Sequence, residues 1–136
     1  MNKKFQIGGL IFAPMLAVSA YAGDVKVTLT GAEEVPAVTT SATGTGTITV
    51  KDDKSVSGTV TTKGIEGLAA HIHAAPAGKN GPPIVPLEKG ADGAWKVPAN
   101  AKLTDEQYAA FKTGGLYVNV HSAANKGGEI RGQLKP

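Results

Sequence analysis

The sequence predicts an all-β protein, an antiparallel sandwich with one short helix. Three observations predict it. Apolar and polar residues alternate over many short stretches, the period of a strand with one buried face. Gly, Pro, Asn and Asp break those stretches at close intervals, as turns between strands require. Val, Thr, Gly and Ala dominate while aromatics make up only 5% of the chain, which suits a pleated sheet better than a helical bundle.

Residues 1–22 are expected to be a leader outside the fold. Asn2-Lys3-Lys4 gives a short basic start, residues 5–18 are apolar and uncharged, and Ala20-Tyr21-Ala22 places small residues two apart, as a signal peptidase requires. Cleavage after Ala22 would leave a mature chain of residues 23–136, read as a single domain. The apolar run is interrupted by Pro14 and is short for a membrane span, and no second such run follows. A periplasmic or secreted protein is therefore expected, without a membrane anchor after cleavage.

Within the mature chain, residues 24–30 alternate Val25, Val27 and Leu29 against Lys26, Thr28 and Thr30, an opening strand. Gly31 to Pro36 interrupts it, and Pro36 disfavours a central strand there. Residues 43–50 form a Gly/Thr-rich strand with Ile48 and Val50 as core candidates. Asp52-Asp53-Lys54 turns it into residues 55–62, where Val56 and Val60 face inward, so the pair reads as a hairpin. Gly44, Gly46 and Gly58 mark bulges or close packing. Residues 68–74 are the next strand, and the loop 75–82 is too rich in Gly and Pro for regular structure. Residues 83–87 are extended, with prolines that suit a sheet edge. Gly90 to Gly93 turns the chain into a short strand at 94–97, whose Trp95 is expected to cover one end of the core.

The spacing predicts a helix over 104–113. Thr104 caps it, Gln107 completes a capping-box pattern, Asp105 and Glu106 favour its positive end, and Gly114 ends it. Tyr108 and Phe111 share its inward side. Residues 116–121 and 129–134 close the chain as strands on either side of a Gly127-Gly128 turn.

Charge and cysteine content exclude several function classes. Lys3 and Lys4 leave with the leader, so 14 basic residues fall to 12 against 11 acidic ones, and the alkaline balance is partly the leader's. Basic residues are scattered singly and few aromatics are available for stacking, which argues against nucleic acid. The absence of cysteine removes disulfides, thiolate ligands and thiol nucleophiles together. Ser122 beside His121 makes no triad, because adjacent strand residues face opposite ways. Glu33-Glu34 and Asp52-Asp53 read as turn charges.

The chemistry lies in the histidines. All three stand in two strands, His71 and His73 in Ala70-His71-Ile72-His73 and His121 at the end of Tyr117-Val118-Asn119-Val120-His121. His71 and His73 share one strand face while Ile72 takes the other. In the second strand Leu116, Val118 and Val120 take one face and Tyr117, Asn119 and His121 the other. If the strands are neighbours with their apolar faces in one core, three imidazoles converge outside it. Residues two apart on a strand are about 6.5–7 Å apart at Cα, a span that can chelate one ion. Copper is the first choice, because a thiolate-free histidine site suits it and it leads the divalent affinity order; zinc is the rival. Water or Glu129 is the candidate fourth ligand, and Asn119 a supporting group. The plain reading of these positions is a polar outer sheet face. Glu129 reads first as half of a structural ion pair with Arg131 or as a cap of the Gly127-Gly128 turn, and Arg131 second as an arginine that guides small anions.

Ala70-His71-Ile72-His73, Gly78 with Asn80-Gly81-Pro82, Gly115 to His121, and Gly127-Gly128-Glu129-Ile130-Arg131-Gly132 together resemble the CHRD (chordin) domain family, as does the opening Leu29 to Pro36 stretch. The resemblance implies an immunoglobulin-like, Greek-key β-sandwich in a secreted or periplasmic protein, and no single activity. The two histidine strands are also similar to the copper strands of copper/zinc superoxide dismutases, which implies His71, His73 and His121 as copper ligands. That family's bridging histidine, zinc loop and cysteine pair have no counterpart here. The expectation is a metal-binding protein in copper handling or redox protection, with no catalytic residue assigned. The alternatives are a metal-free structural or protein-interaction module and a dismutase-like copper enzyme.

Overall fold

Hydrogen bonds run without a break from strand to strand through a single antiparallel sheet in the computed structural model, which describes residues 23–136. The expected leader over residues 1–22 lies outside the described residues. Within them the strands are β1 (Gly23–Thr30), β2 (Thr43–Val50), β3 (Val56–Lys63), β4 (Gly67–Ala74), β5 (Pro83–Pro86), β6 (Glu88–Lys89), β7 (Ala94–Lys96), β8 (Leu116–Ser122) and β9 (Ile130–Leu134). The order across the sheet is β5-β4-β8-β9-β1-β2-β3-β7-β6. The sheet nearly closes on itself, because β5 and β6 are separated by Leu87 alone yet stand at opposite ends of that order. Leu87 itself donates its N–H to the Ala70 carbonyl of β4 at 2.9 Å. The two-residue β6 is an element the sequence did not predict, and the hydrogen bonding draws one continuous sheet where two facing sheets were expected.

Alternation decides which side of each strand is buried. Val25, Val27 and Leu29 of β1, Ile48 and Val50 of β2, and Val56 and Val60 of β3 meet Ala70 and Ile72 of β4, Leu116, Val118 and Val120 of β8, and Ile130 and Leu134 of β9 in one core. Burial of a full aliphatic side chain contributes about 1.5–3 kcal/mol, so this shared interior carries the stability of a chain without cysteine. The predicted hairpin is present, with β2 and β3 paired from Thr43↔Lys63 to Val50↔Val56. Gly46 marks close packing and no bulge: a Cβ there would run into the Thr59 carbonyl of the neighbouring strand. Trp95 of β7 is buried beside Gly67, with the Lys89 ammonium 5.9 Å from its ring centroid.

The helix, α1 (Asp105–Lys112), has the predicted cap. Thr104 accepts from the Gln107 N–H at 3.1 Å, and the Gln107 side chain accepts from the Thr104 N–H at 2.9 Å. Phe111 is buried and Tyr108 packs half-buried against the core. No helix among the described residues is long and apolar enough to cross a membrane.

Candidate metal centre

Strand pairing brings the histidines together. β4 and β8 are antiparallel neighbours in which His71 faces Asn119, His73 faces Tyr117 and Ala69 faces His121. Ile72, Ala70, Val118 and Val120 point into the core, so His71, His73 and His121 all project from the outer face. Each offers a ring nitrogen, and these three atoms lie within 4.8 Å of one another. His71 Nδ1 and His121 Nε2 are 3.3 Å apart.

Backbone carbonyls fix two of the tautomers. A carbonyl only accepts, so the ring nitrogen facing it carries the proton. His73 Nδ1 donates to the Gly81 carbonyl at 2.9 Å, and His121 Nδ1 donates to the Lys126 carbonyl at 2.7 Å. Their Nε2 atoms therefore carry the lone pairs, that of His121 facing His71 Nδ1 at 3.3 Å. Among the described residues His73 Nε2 is buried with no hydrogen-bond partner, an arrangement that costs free energy unless something accepts the lone pair. Burial, and then repulsion from His121 and His73, holds the His71 imidazole below the usual histidine range. Burial also lowers His73, with repulsion from His121, against the opposing hydrogen bond to the Gly81 carbonyl and the opposing pull of the Asn119 side chain. Both rings are thus neutral at neutral pH, the form that binds metal. Nitrogens about 2.0–2.1 Å from a common ion stand roughly 3.3 Å apart in a tetrahedral site and ~4.1 Å apart when opposite. The His71–His121 separation already has the first value, and all three nitrogens lie within 4.8 Å of one another. The donor set fits a borderline transition-metal ion.

The outer face is not the open polar surface that alternation alone predicts. Tyr117 and Asn119 are as buried as core residues. Tyr117 lies between two neighbours: its ring stacks on His73 with centroids 4.9 Å apart and planes 10° from parallel, and the Arg131 guanidinium carbon lies 3.4 Å from its centroid. The loop 75–82 roofs this stack. Arg131 donates to the Pro76 carbonyl at 3.2 Å and to Asn80 Oδ1 at 3.5 Å, and Gln133 donates to the Ala75 carbonyl at 2.8 Å. Gly81 is the keystone, since its carbonyl accepts from His73 and its N–H donates to the Tyr117 hydroxyl at 3.1 Å. A Cβ at Gly81 would run into the Ala74 carbonyl, so only glycine fits there.

The expected Glu129–Arg131 ion pair does not form. Glu129 precedes β9 and turns toward Ser122, which faces away from His121; it accepts from Ser122 and from Thr40, each at 2.6 Å. Those hydrogen bonds hold its carboxyl below the usual range and keep it out of the histidine cluster, so it supplies no fourth ligand. Arg131 is 1% exposed and cannot reach anions in solution, which removes the steering role as well. The acid that faces Arg131 is Glu34, read from sequence as a turn charge but 5% exposed. Burial pushes its carboxyl up to about 7, against the opposing charge of Arg131 and a hydrogen bond from Asn119. Glu34 and the roofing role of Gly81 had one sequence signal each, their place in the family-like segments around Val35-Pro36 and Asn80-Gly81-Pro82.

Known proteins add one finding. The CHRD domain model matches residues 25–134, a span that runs from β1 to the end of β9 and includes all three histidines. No curated protein and no solved structure matches the chain.

Proposed function

The chain belongs to the CHRD domain family, and we propose that it is a metal-binding member that holds copper through His71, His73 and His121. One observation carries this reading: the buried, unpartnered Nε2 of His73, in a ring whose other nitrogen is fixed by Gly81, beside two imidazoles within ligand distance of it. A buried lone pair of this kind is a cost that an ion would remove. Copper is preferred because three neutral imidazoles without thiolate or carboxylate suit it, and because it outranks zinc on nitrogen donors. His71 and His121 stay half-exposed, which leaves room for water or an exchanging ligand. We assign the protein to copper handling or redox protection in an exported compartment, with residues 1–22 as its leader and the nearly closed sheet as an immunoglobulin-like sandwich.

The test is metal content of untagged protein taken from its native compartment, together with His71→Ala, His73→Ala and His121→Ala. About one copper per chain is expected in the wild type, falling to background in each variant. Equal metal content in all four proteins would leave the metal-free interaction module as the better reading. Zinc in place of copper would move the site toward metal-assisted hydrolysis. Turnover of superoxide or peroxide by loaded protein would establish the enzyme; its absence would establish a carrier.

A further inference from the structure

We propose that Arg131 is a charge-setting residue of the three-histidine site, biasing it toward monovalent over divalent copper. The inference rests on the copper reading above and concerns which oxidation state the site favours. The geometry is a stack across three neighbouring strands. The His73 imidazole of β4 lies on one side of the Tyr117 ring of β8, and the Arg131 guanidinium of β9 on the other. One aromatic ring separates a fixed positive charge from a metal-ligand imidazole.

Little screens that charge. Arg131 is 1% exposed, and its hydrogen bonds go to neutral acceptors, the Pro76 carbonyl, Asn80 and Gln133. Among the described residues no carboxylate stands within salt-bridge distance of it. Glu34 is the acid whose charge it feels, and burial holds that carboxyl near half-ionised at neutral pH. The histidine cluster contains no carboxylate of its own. An ion here would be surrounded by neutral donors and a nearby cation, and each added unit of metal charge meets the same repulsion. Two unit charges about 10 Å apart at an effective dielectric of ~20 change an equilibrium constant by roughly tenfold. The site should therefore favour the lower oxidation state by about that factor beyond what three imidazoles alone would give.

The experiment is the midpoint potential of the copper-loaded protein, measured by redox titration at pH 8, for the wild type, Arg131→Met, Arg131→Lys and Glu34→Gln. Arg131→Met keeps the apolar stem and removes the charge. It is expected to shift the ratio of divalent to monovalent affinity about tenfold toward the divalent ion, a potential lower by ~59 mV for one electron. Arg131→Lys keeps the charge but not the planar fork that holds the loop 75–82, so retention of the wild-type potential in it separates charge from loop positioning. Glu34→Gln removes the opposing charge, which is ionised at this pH, and is expected to shift the potential upward. If Arg131→Met does not fold, Arg131→Gln, which removes the same charge and keeps a donor toward the Pro76 carbonyl, carries the test with the same expected downward shift. Equal potentials in the loaded variants would overturn the proposal while leaving the copper site intact. Failure of the wild type to bind copper would overturn the site itself and the inference with it.

Discussion

The two walls of the sheet obey the same rule inward and opposite rules outward. On the β1-β2-β3 wall, Val and Ile point into the core and the alternate residues, such as Lys26, Thr28, Thr45, Thr59 and Thr61, meet water. On the β4-β8-β9 wall the inward residues are equally apolar, but Tyr117, Asn119 and Arg131 on the outer face are buried as well. The difference is the roof. The loop 75–82 and residues 34–35 fold over the histidine wall and bond to it through Gly81, Asn80 and Arg131, and among the described residues nothing comparable covers the threonine wall. A threonine ladder can stay wet, because its hydroxyls and methyls are content at a water boundary. Imidazoles meant to stay neutral and fixed need water excluded and their second nitrogens held, which requires a second layer.

The strongest way to break this contrast is to remove the roof's keystone. Gly81→Ala places a Cβ against the Ala74 backbone carbonyl, a neighbour with no side-chain freedom to move aside. Overpacking at such a place costs about 3 kcal/mol or more. The substitution should also loosen the Nδ1 hydrogen bond of His73, so metal affinity should fall roughly 10–100-fold. Chemical denaturation and a metal competition titration check the two effects. A folded, wild-type-affinity Gly81→Ala protein would show that the roof does not position the histidines.

The next effect is electrostatic and has a defined pH window. Glu34 is raised from 4.5 to about 7 in the fold, so between those values the native state binds more protons than the unfolded one. Its contribution to stability is favourable below 4.5 and is lost as pH rises through 7. Glu34→Gln should be more stable than the wild type at pH 8, by an amount on the order of 3 kcal/mol, and should match it near pH 4.5. His71 and His73 act with the opposite sign. Their lowered native values mean that the unfolded chain takes protons first, so stability falls as pH drops below about 6.5 in both proteins. The difference between the two pH profiles isolates Glu34. Parallel profiles would mean that the buried carboxyl is solvated after all.

Most of the sheet was legible in the sequence because period-two alternation reports the inward face directly. β1, β2, β3, β4 and β8 fall within a residue of their predicted bounds, and the Thr104–Gln107 capping box is where its spacing put it. The three histidines were legible for the same reason: alternation fixes a side, and burial of Ile72 and Val120 forces their neighbours out. What alternation cannot report is what covers the outer side. That Arg131 reaches Tyr117 depends on β8 lying between β4 and β9, and that Glu34 is buried depends on a turn folding back under Gly128. Both are facts of strand order and loop path, set by contacts far apart in sequence. The Glu129–Arg131 pairing failed on a local detail: β9 begins at Ile130, so Glu129 does not continue the face that Arg131 occupies.

A milder probe of the roof is Tyr117→Phe. It keeps the ring that His73 and Arg131 stack upon and removes only the hydroxyl that accepts from the Gly81 N–H. The N–H loses its partner under a covering loop, a loss of about 1–2 kcal/mol. Because stacking survives, metal affinity should drop far less than in Gly81→Ala, and that ordering is the informative result. An equal drop in both variants would move the positioning role from the Gly81 backbone to the hydroxyl.

The smallest expected effect bounds the comparison from the other wall. Thr61 is exposed on β3 across from Thr45, and its alternate neighbours Val60 and Thr62 are the buried ones. Thr61→Ala removes a β-branched side chain from a solvated face, where the cost is strand preference alone, within about 0.5 kcal/mol. Metal binding should not change, since β9, β1 and β2 stand between β3 and the histidine strand β8 in the sheet order. Denaturant midpoints of Thr61→Ala and Tyr117→Phe, measured side by side, put the two walls on one scale. Both residues stand on outward positions of central strands, so alternation alone assigns them equal weight. A loss at Thr61 as large as that at Tyr117 would mean that outward position sets the cost, and that the roof adds nothing to it.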